Sequence, residues 1–343
     1  MPAGVSVWSR FTHIGRAGVG RFQARSCGAR YHEAREPSLN MTHQAGASTP
    51  RTPRYFRRDV GGVELNWSER GSGSNVVVLH GLSDSERTWW PVMHELAARH
   101  RVFGLDLPGC GLSARPDANY SLDWHARVVA AWLDEVGITT CDVVGHSYGG
   151  GLAQWLLLYR ASAIQRLALV APGGLGRDVA FELRLASLPW IVERAGQPWM
   201  RVVTRLQTFL DGRSLRSDQR RRLHRMNAEP GSARAFARTV RDVIDWRGQK
   251  RFFLDRAREV HDLPAIALFW GEKDRIIPIG QGEELCAILE NCKLVRFPGA
   301  GHFLHWERPR ELARALLVFF DALEIPQARL APSQGASIAP GLG

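Results

Sequence analysis

The sequence predicts an α/β fold, a mostly parallel, doubly wound sheet with a helical insertion, and three observations predict it. Short apolar runs of strand length alternate with helical stretches in two separate parts of the chain. A Gly-x-Ser-x-Gly turn stands between one such run and the helix after it. From Gly173 to about Arg258 the alternation stops, and the pattern becomes helical with Pro189, Pro198 and Pro230 as punctuation.

The elements follow in order. Val63 to Ser68 reads as a short alternating strand behind Gly61-Gly62. Val76 to His80 is a continuous run of buried-strand length, followed by the loop Gly81 to Ser85 and a helical stretch from Arg87 to Arg99. Arg101 to Leu105 is a strand that ends in the turn Pro108-Gly109-Cys110-Gly111. Next come a helix from Ser121 to Val136, a strand at Asp142 to Val144, a helix from Tyr148 to Tyr159 and a strand at Leu167 to Val170. After the insertion, alternation resumes at Ala265 to Trp270, around Cys286, at Leu294 to Phe297 and at Glu311 to Phe320. The domain boundaries this suggests are an extension, 1–54, that is disordered or targeting-like; core parts 55–172 and 259–325; a helical cap, 173–258; and a disordered tail, 326–343.

Composition narrows the function classes. No uncharged apolar run reaches the roughly 18–20 residues of a membrane-spanning helix. Cys27, Cys110, Cys141, Cys286 and Cys292 are an odd, scattered set without metal-ligand spacing, so they read as thiols of a reducing compartment and no metal is expected. The expected location is therefore cytoplasmic. The Arg-bearing opening, with no acid before Glu33, allows an organelle address instead. The net charge of +11 is segmental: residues 1–59 hold ten Arg against three acids, and residues 177–258 hold eighteen Arg and one Lys against nine acids. Because 42 of the 45 basic residues are arginine, the charge follows a general arginine bias, and no nucleic-acid partner is inferred from it. The dense Arg220-Arg221-Arg222 and Arg225 cluster leaves one partner class open at the cap, an anionic acyl carrier or an acidic membrane surface.

The chemistry concentrates in three loops. Gly145-His146-Ser147-Tyr148-Gly149 presents a serine on a tight strand-to-helix turn, with free helix N–H groups beside it. A serine hydroxyl needs a base to take its proton and an acid to orient that base. The loop Gly271-Glu272-Lys273-Asp274 supplies Asp274 after a buried strand, and Gly301-His302-Phe303 supplies His302 after the next. All three lie at carboxyl ends of strands, on one edge of the sheet. Glu272 is the less favoured acid, His305 reads as packing at the last helix, and His80 and His146 read as pocket-shaping.

With Leu79-His80-Gly81-Leu82 and Asp106-Leu107-Pro108-Gly109-Cys110-Gly111-Leu112-Ser113 added, the chain from about Tyr55 to Glu324 resembles the α/β-hydrolase superfamily, in its serine-nucleophile branch with a helical cap. The resemblance implies an oxyanion hole made by the backbone N–H groups of Leu82 and Tyr148, with no catalytic part for Asp106 or Ser113. Relatives that open epoxides or remove halides carry Asp at the elbow, so Ser147 argues against both activities. Relatives that cleave carbon–carbon bonds have a Gly-rich, Pro-containing run where this chain has Leu82-Ser83-Asp84-Ser85. The expectation is hydrolysis of a small-molecule carboxylic ester, thioester or lactone through an acyl-enzyme, without a cofactor. The rivals are a perhydrolase or haloperoxidase-like enzyme and a ligand sensor.

Overall fold

The structure is a computed structural model that describes residues 53–188, 221, 224–260, 263–322 and 327–330. The expectations placed on most of the 1–54 extension, on the middle of the insertion with Pro189, Pro198, Arg220 and Arg222, and on the end of the tail fall outside these residues.

An eight-stranded sheet runs β1-β2-β4-β3-β5-β6-β9-β11. β1 (Arg54–Val60) and β2 (Val63–Arg70) form a hairpin. Its turn is Gly61-Gly62, whose φ values of 62° and 87° are those a tight hairpin turn demands. β2 continues antiparallel to β4 (His100–Leu105). From β4 through β3 (Ser74–Leu79), β5 (Cys141–His146), β6 (Ile164–Val170) and β9 (Ala265–Gly271) to β11 (Lys293–Phe297), every pairing is parallel. β1 was not expected: its Arg-Tyr-Phe-Arg-Arg-Asp stretch is mostly exposed edge, so it lacks an apolar run, and Phe56 stacked on Trp67 supplies its hold on the core.

The continuous apolar runs arise because both faces of the parallel strands are covered. Val77, Leu79, Val143, Leu167 and Leu169 point into one apolar cluster. Their alternates Val76, Val78, Val144, Ala168 and Val170 point into a second. α2 (Leu122–Val136) and α3 (Tyr148–Arg160) cover the first face, α1 (Trp90–Leu96) and the terminal helix Pro309–Phe320 the second. Local chemistry sets the helix ends. The Ser121 side chain accepts from Trp124 N at 3.1 Å to start α2, and left-handed Gly137 stops it.

The described part of the insertion is less uniformly helical than expected. α4 (Phe181–Ala186) and α5 (Ser232–Val243) are helices. The hairpin β7 (Ile244–Asp245) and β8 (Gly248–Gln249) follows, its turn made by Trp246 and Arg247. α5 lays Ala233, Phe236, Ala237 and Val240 onto a third cluster that includes Trp270, Ile276 and Phe303 of the core. Arg238 on its other side reaches Asp117 at 2.6 Å.

Two expectations are corrected after the insertion. α6 (Gly280–Ile288) leads to β10 (Leu289–Glu290), and Cys286 and Cys292, expected as thiols, are joined in a disulfide across that turn, with Cα atoms 5.0 Å apart. Among the described cysteines Cys110 and Cys141 are free, so the cysteine pattern no longer argues for a reducing compartment. The tail also departs from disorder where it is described: β12 (Arg329–Leu330) pairs with β10. No described helix is long and apolar enough to cross a membrane. α7 (Leu304–Glu307) and α8 (Pro309–Phe320) complete the described helices used below.

Candidate active site

Ser147 follows β5 directly and adopts φ 52° and ψ −118°, a region that costs an L-residue conformational energy. Backbone hydrogen bonds hold it there. Its N–H donates to Val170 O at 3.0 Å, and its carbonyl accepts from Gly150, Gly151 and Gly173 at 2.9, 3.1 and 2.9 Å. A Cβ on Gly149 would strike the carbonyl oxygens of Leu79 and His80, and one on Gly145 would lie 2.5 Å from Gly149 O. The glycines of the motif are thus required by the close approach of α3 to β3 and β5.

The expected acid and base meet. Asp274 Oδ2 lies 2.7 Å from His302 Nδ1 and also accepts from Trp270 Nε1 at 3.1 Å. Its other oxygen accepts from the N–H groups of Ile276 and Ile277 at 2.8 and 2.9 Å. A carboxylate held by this many donors cannot swing, so it fixes the imidazole with Nδ1–H toward Asp274 and Nε2 as the basic nitrogen. Glu272 is exposed. The His302 loop is joined to the elbow by His146, whose Nε2 donates to His302 O at 3.0 Å and whose ring lies 4.9 Å from that of His302. Ser147 is half-buried at the same edge, and its side chain does not cap α3.

Two clefts converge on Leu82 and Tyr148. The larger is also lined by Ser147, Val179, Ile244 and Arg251. The other is lined by Leu107, His125, Asn227 and Phe236. Tyr148 is the first residue of α3, where helix N–H groups lack intrahelical acceptors, and its hydroxyl is 2.9 Å from His125 Nδ1. Burial pushes His125 down to about 4 and holds the Tyr148 phenol well above its ordinary value, so both are neutral anchors.

His80 and His146 are not pocket walls. His80 is wholly buried, donating from Nδ1 to Gly81 O at 2.8 Å and accepting from Leu107 N at 3.0 Å, and His146 lies behind the elbow. His305 is buried at the start of the last helical stretch and stacked on Trp89 with ring centres 4.5 Å apart. Asp106 is structural too: it accepts from Asn66 Nδ2, Glu86 N and Leu112 N, tying the antiparallel edge to the parallel half.

Sequence reasoning missed two supports. Glu307 accepts from Gly301 N at 2.8 Å and from Phe303 N at 3.3 Å, bracing the His302 loop; its place five residues after His302 and just before the Pro309 that opens the last helix was an available signal. Arg251, the charged residue in the wall of the larger cleft, is held by Asp242 at 2.8 Å, and Asp242 also accepts from Leu122 N. No local spacing announces that pair.

Comparison with known proteins agrees with this architecture. The sequence model for the alpha/beta hydrolase fold matches residues 75–309. An uncharacterized protein of Mycobacterium tuberculosis is 33% identical over 277 residues, covering 78% of this chain and 81% of that one. The 2-hydroxy-6-oxo-2,4-heptadienoate hydrolase of Pseudomonas putida is 29% identical, covering 77% and 95%. A solved alpha/beta hydrolase fold protein from Burkholderia ambifaria superposes with a TM-score of 0.67 at 27% identity, covering 77% of this chain and 97% of that one. With the family pattern matched over most of the core and named hydrolases among its relatives, the chain belongs to the alpha/beta hydrolase fold family.

Proposed function

We propose that the chain is a serine hydrolase that cleaves a small carboxylic ester, thioester or lactone through an acyl-enzyme, with Ser147 as nucleophile, His302 as general base and Asp274 as its orienting acid. The observation that carries this reading is the 2.7 Å contact between His302 Nδ1 and a fully hydrogen-bonded Asp274, at the sheet edge where Ser147 is held in a left-handed turn. In this reading His302 Nε2 takes the proton of Ser147 as the hydroxyl attacks the acyl carbon. The N–H groups of Leu82 and Tyr148 receive the oxyanion, His302 protonates the leaving group, and water activated by His302 releases the acid. Ser147→Ala is expected to lower hydrolysis of a short-chain nitrophenyl ester by about 10⁶ and to abolish labelling by a serine-directed phosphonate. Labelling that survives the substitution overturns the assignment.

A second reading rests on the relatives, one of which is named a 2-hydroxy-6-oxo-2,4-heptadienoate hydrolase. A vinylogous oxo-dienoate turned over faster than every ester of a panel would favour carbon–carbon cleavage on the same residues. A perhydrolase is separated by peroxide-dependent halogenation, and a sensor by failure of multiple turnover with any ester. The cap partner is tested by comparing kcat/KM for a neutral ester and an acyl-CoA thioester across ionic strength. An effect confined to the thioester supports an anionic carrier.

A further inference from the structure

We propose that Asp84, His146 and His305, behind the elbow, form a binding site for one divalent first-row transition metal ion. The inference does not depend on the reaction assigned to Ser147.

The three residues are buried, and one ligand atom from each lies within 4.8 Å of the other two. Hydrogen-bond accounting shows what faces what. His146 Nε2 lies 3.0 Å from a carbonyl oxygen, so the proton is on Nε2 and Nδ1 carries a lone pair. That Nδ1 has no hydrogen-bond partner among the described residues, and neither nitrogen of His305 has one. His305 Nε2 stands 3.4 Å from Asp84 Oδ2, itself an acceptor. His305 carries a single N–H, which can serve Asp84 or His146 but not both, so the cluster holds more lone pairs than donors, whereas buried polar groups are paired in the great majority of native structures. A cation with open coordination positions satisfies all three.

The geometry and surroundings fit such an ion. Metal–nitrogen and metal–oxygen bonds of about 2.0–2.1 Å in a tetrahedral site place ligand atoms roughly 3.3–3.4 Å apart. The Asp84–His305 separation of 3.4 Å matches this, and the third ligand atom, within 4.8 Å of the others, has to move inward to complete the set. Each ligand also has the support that orients metal ligands. His146 gives its other N–H to His302 O; Asp84 accepts from Ser85 N at 2.8 Å and from Thr88 Oγ1 at 3.1 Å; the His305 ring is held against Trp89 with an interplanar angle of 1°. Glycine at position 81 keeps the approach to His146 Nδ1 clear, since a Cβ there would stand 3.1 Å from that atom. Two imidazoles with one carboxylate select zinc or iron(II) over calcium and magnesium, which prefer oxygen donors. The ligands come from the loop after β3, the end of β5 and α7, so the ion would join the Leu82 loop, the elbow and the His302 loop from below.

The test uses the full chain. Protein made in zinc-supplemented medium and desalted is assayed for metal per chain; a second sample is stripped by chelator in mild denaturant, refolded and titrated with cobalt(II). The proposal expects close to one ion per chain and visible ligand-field bands from bound cobalt. It expects both to persist in Ser147→Ala and to fall by more than about tenfold in Asp84→Asn and His305→Gln. Chelator is expected to lower the Tm of the parent and leave His305→Gln unchanged. Because the parent measurements need no variant to fold, they decide alone: a chain that carries no stoichiometric metal after refolding with excess zinc overturns the site. So does metal retained undiminished by both variants, which would place it elsewhere, or a water shown between the three residues in zinc-grown crystals.

Discussion

The elbow and the insertion enclose the same cleft and are held by opposite means. Ser147 is fixed by four backbone hydrogen bonds and by glycines that admit no side chain. The insertion rests on an apolar stripe of α5 and on polar side chains that cross to the core: Arg238 to Asp117, Asp242 accepting from Leu122 N, and Arg115 of the core on Ser232 and on Met226 O. Backbone contacts tolerate almost no substitution, whereas side-chain pairs at a part-exposed boundary are each of small energetic weight. The proposed nucleophile thus sits where little can be replaced, and the cleft wall is held where more can.

Substitutions put this contrast to the test. The largest expected effect after loss of the nucleophile is Asp274→Asn, which removes the acceptor that sets the His302 tautomer and should lower kcat by about 10⁴, with Glu272→Gln nearly neutral. The reverse ranking in steady-state kinetics would identify Glu272 as the acid. Gly149→Ala should destabilise by about 3 kcal/mol or prevent folding, because the new methyl meets backbone carbonyls that cannot move aside; urea denaturation with an unchanged midpoint would refute the close-packed account of the elbow.

A pH effect should belong to the core alone. Asp142, buried at the start of β5, is pushed up to about 6 by desolvation, which outweighs Arg166 at 3.5 Å. Its folded pKa exceeds the unfolded value, so the folded state binds the proton more tightly. That contribution is complete below about pH 4 and is lost as pH rises through about 6, up to on the order of 3 kcal/mol. Asp142→Asn should flatten the fall in thermal stability across this window, and an unaltered profile would assign the slope to other groups. The smallest effect is expected at the insertion boundary. Arg238→Gln should cost little stability, less still at high salt, and should leave kcat within a few-fold. A large loss of kcat would show that the boundary also sets the catalytic geometry.

The same contrast explains what was legible in the sequence. Ser147, Asp274 and His302 could be named because each sits in a glycine-bearing turn at a strand end, and backbone constraint of that kind leaves a local signature. The parallel strands were visible because burial on both faces produces unbroken apolar runs. β1 was hidden by its exposed arginines, and β7 and β8 by their two-residue length. The Cys286–Cys292 disulfide was hidden because only the fold turns the chain back at β10. The Tyr148–His125 and Arg251–Asp242 contacts join side chains with no shared local pattern, so spacing could not reveal them.

The strand order has one more consequence. The sheet grows outward in both directions from β3, with β4 on one side and β5 on the other, so the loops leaving the adjacent ends of β3 and β5 part toward opposite faces. The opening between those loops, where Leu82 and Ser147 emerge, is a product of topology and precedes any chemistry placed in it.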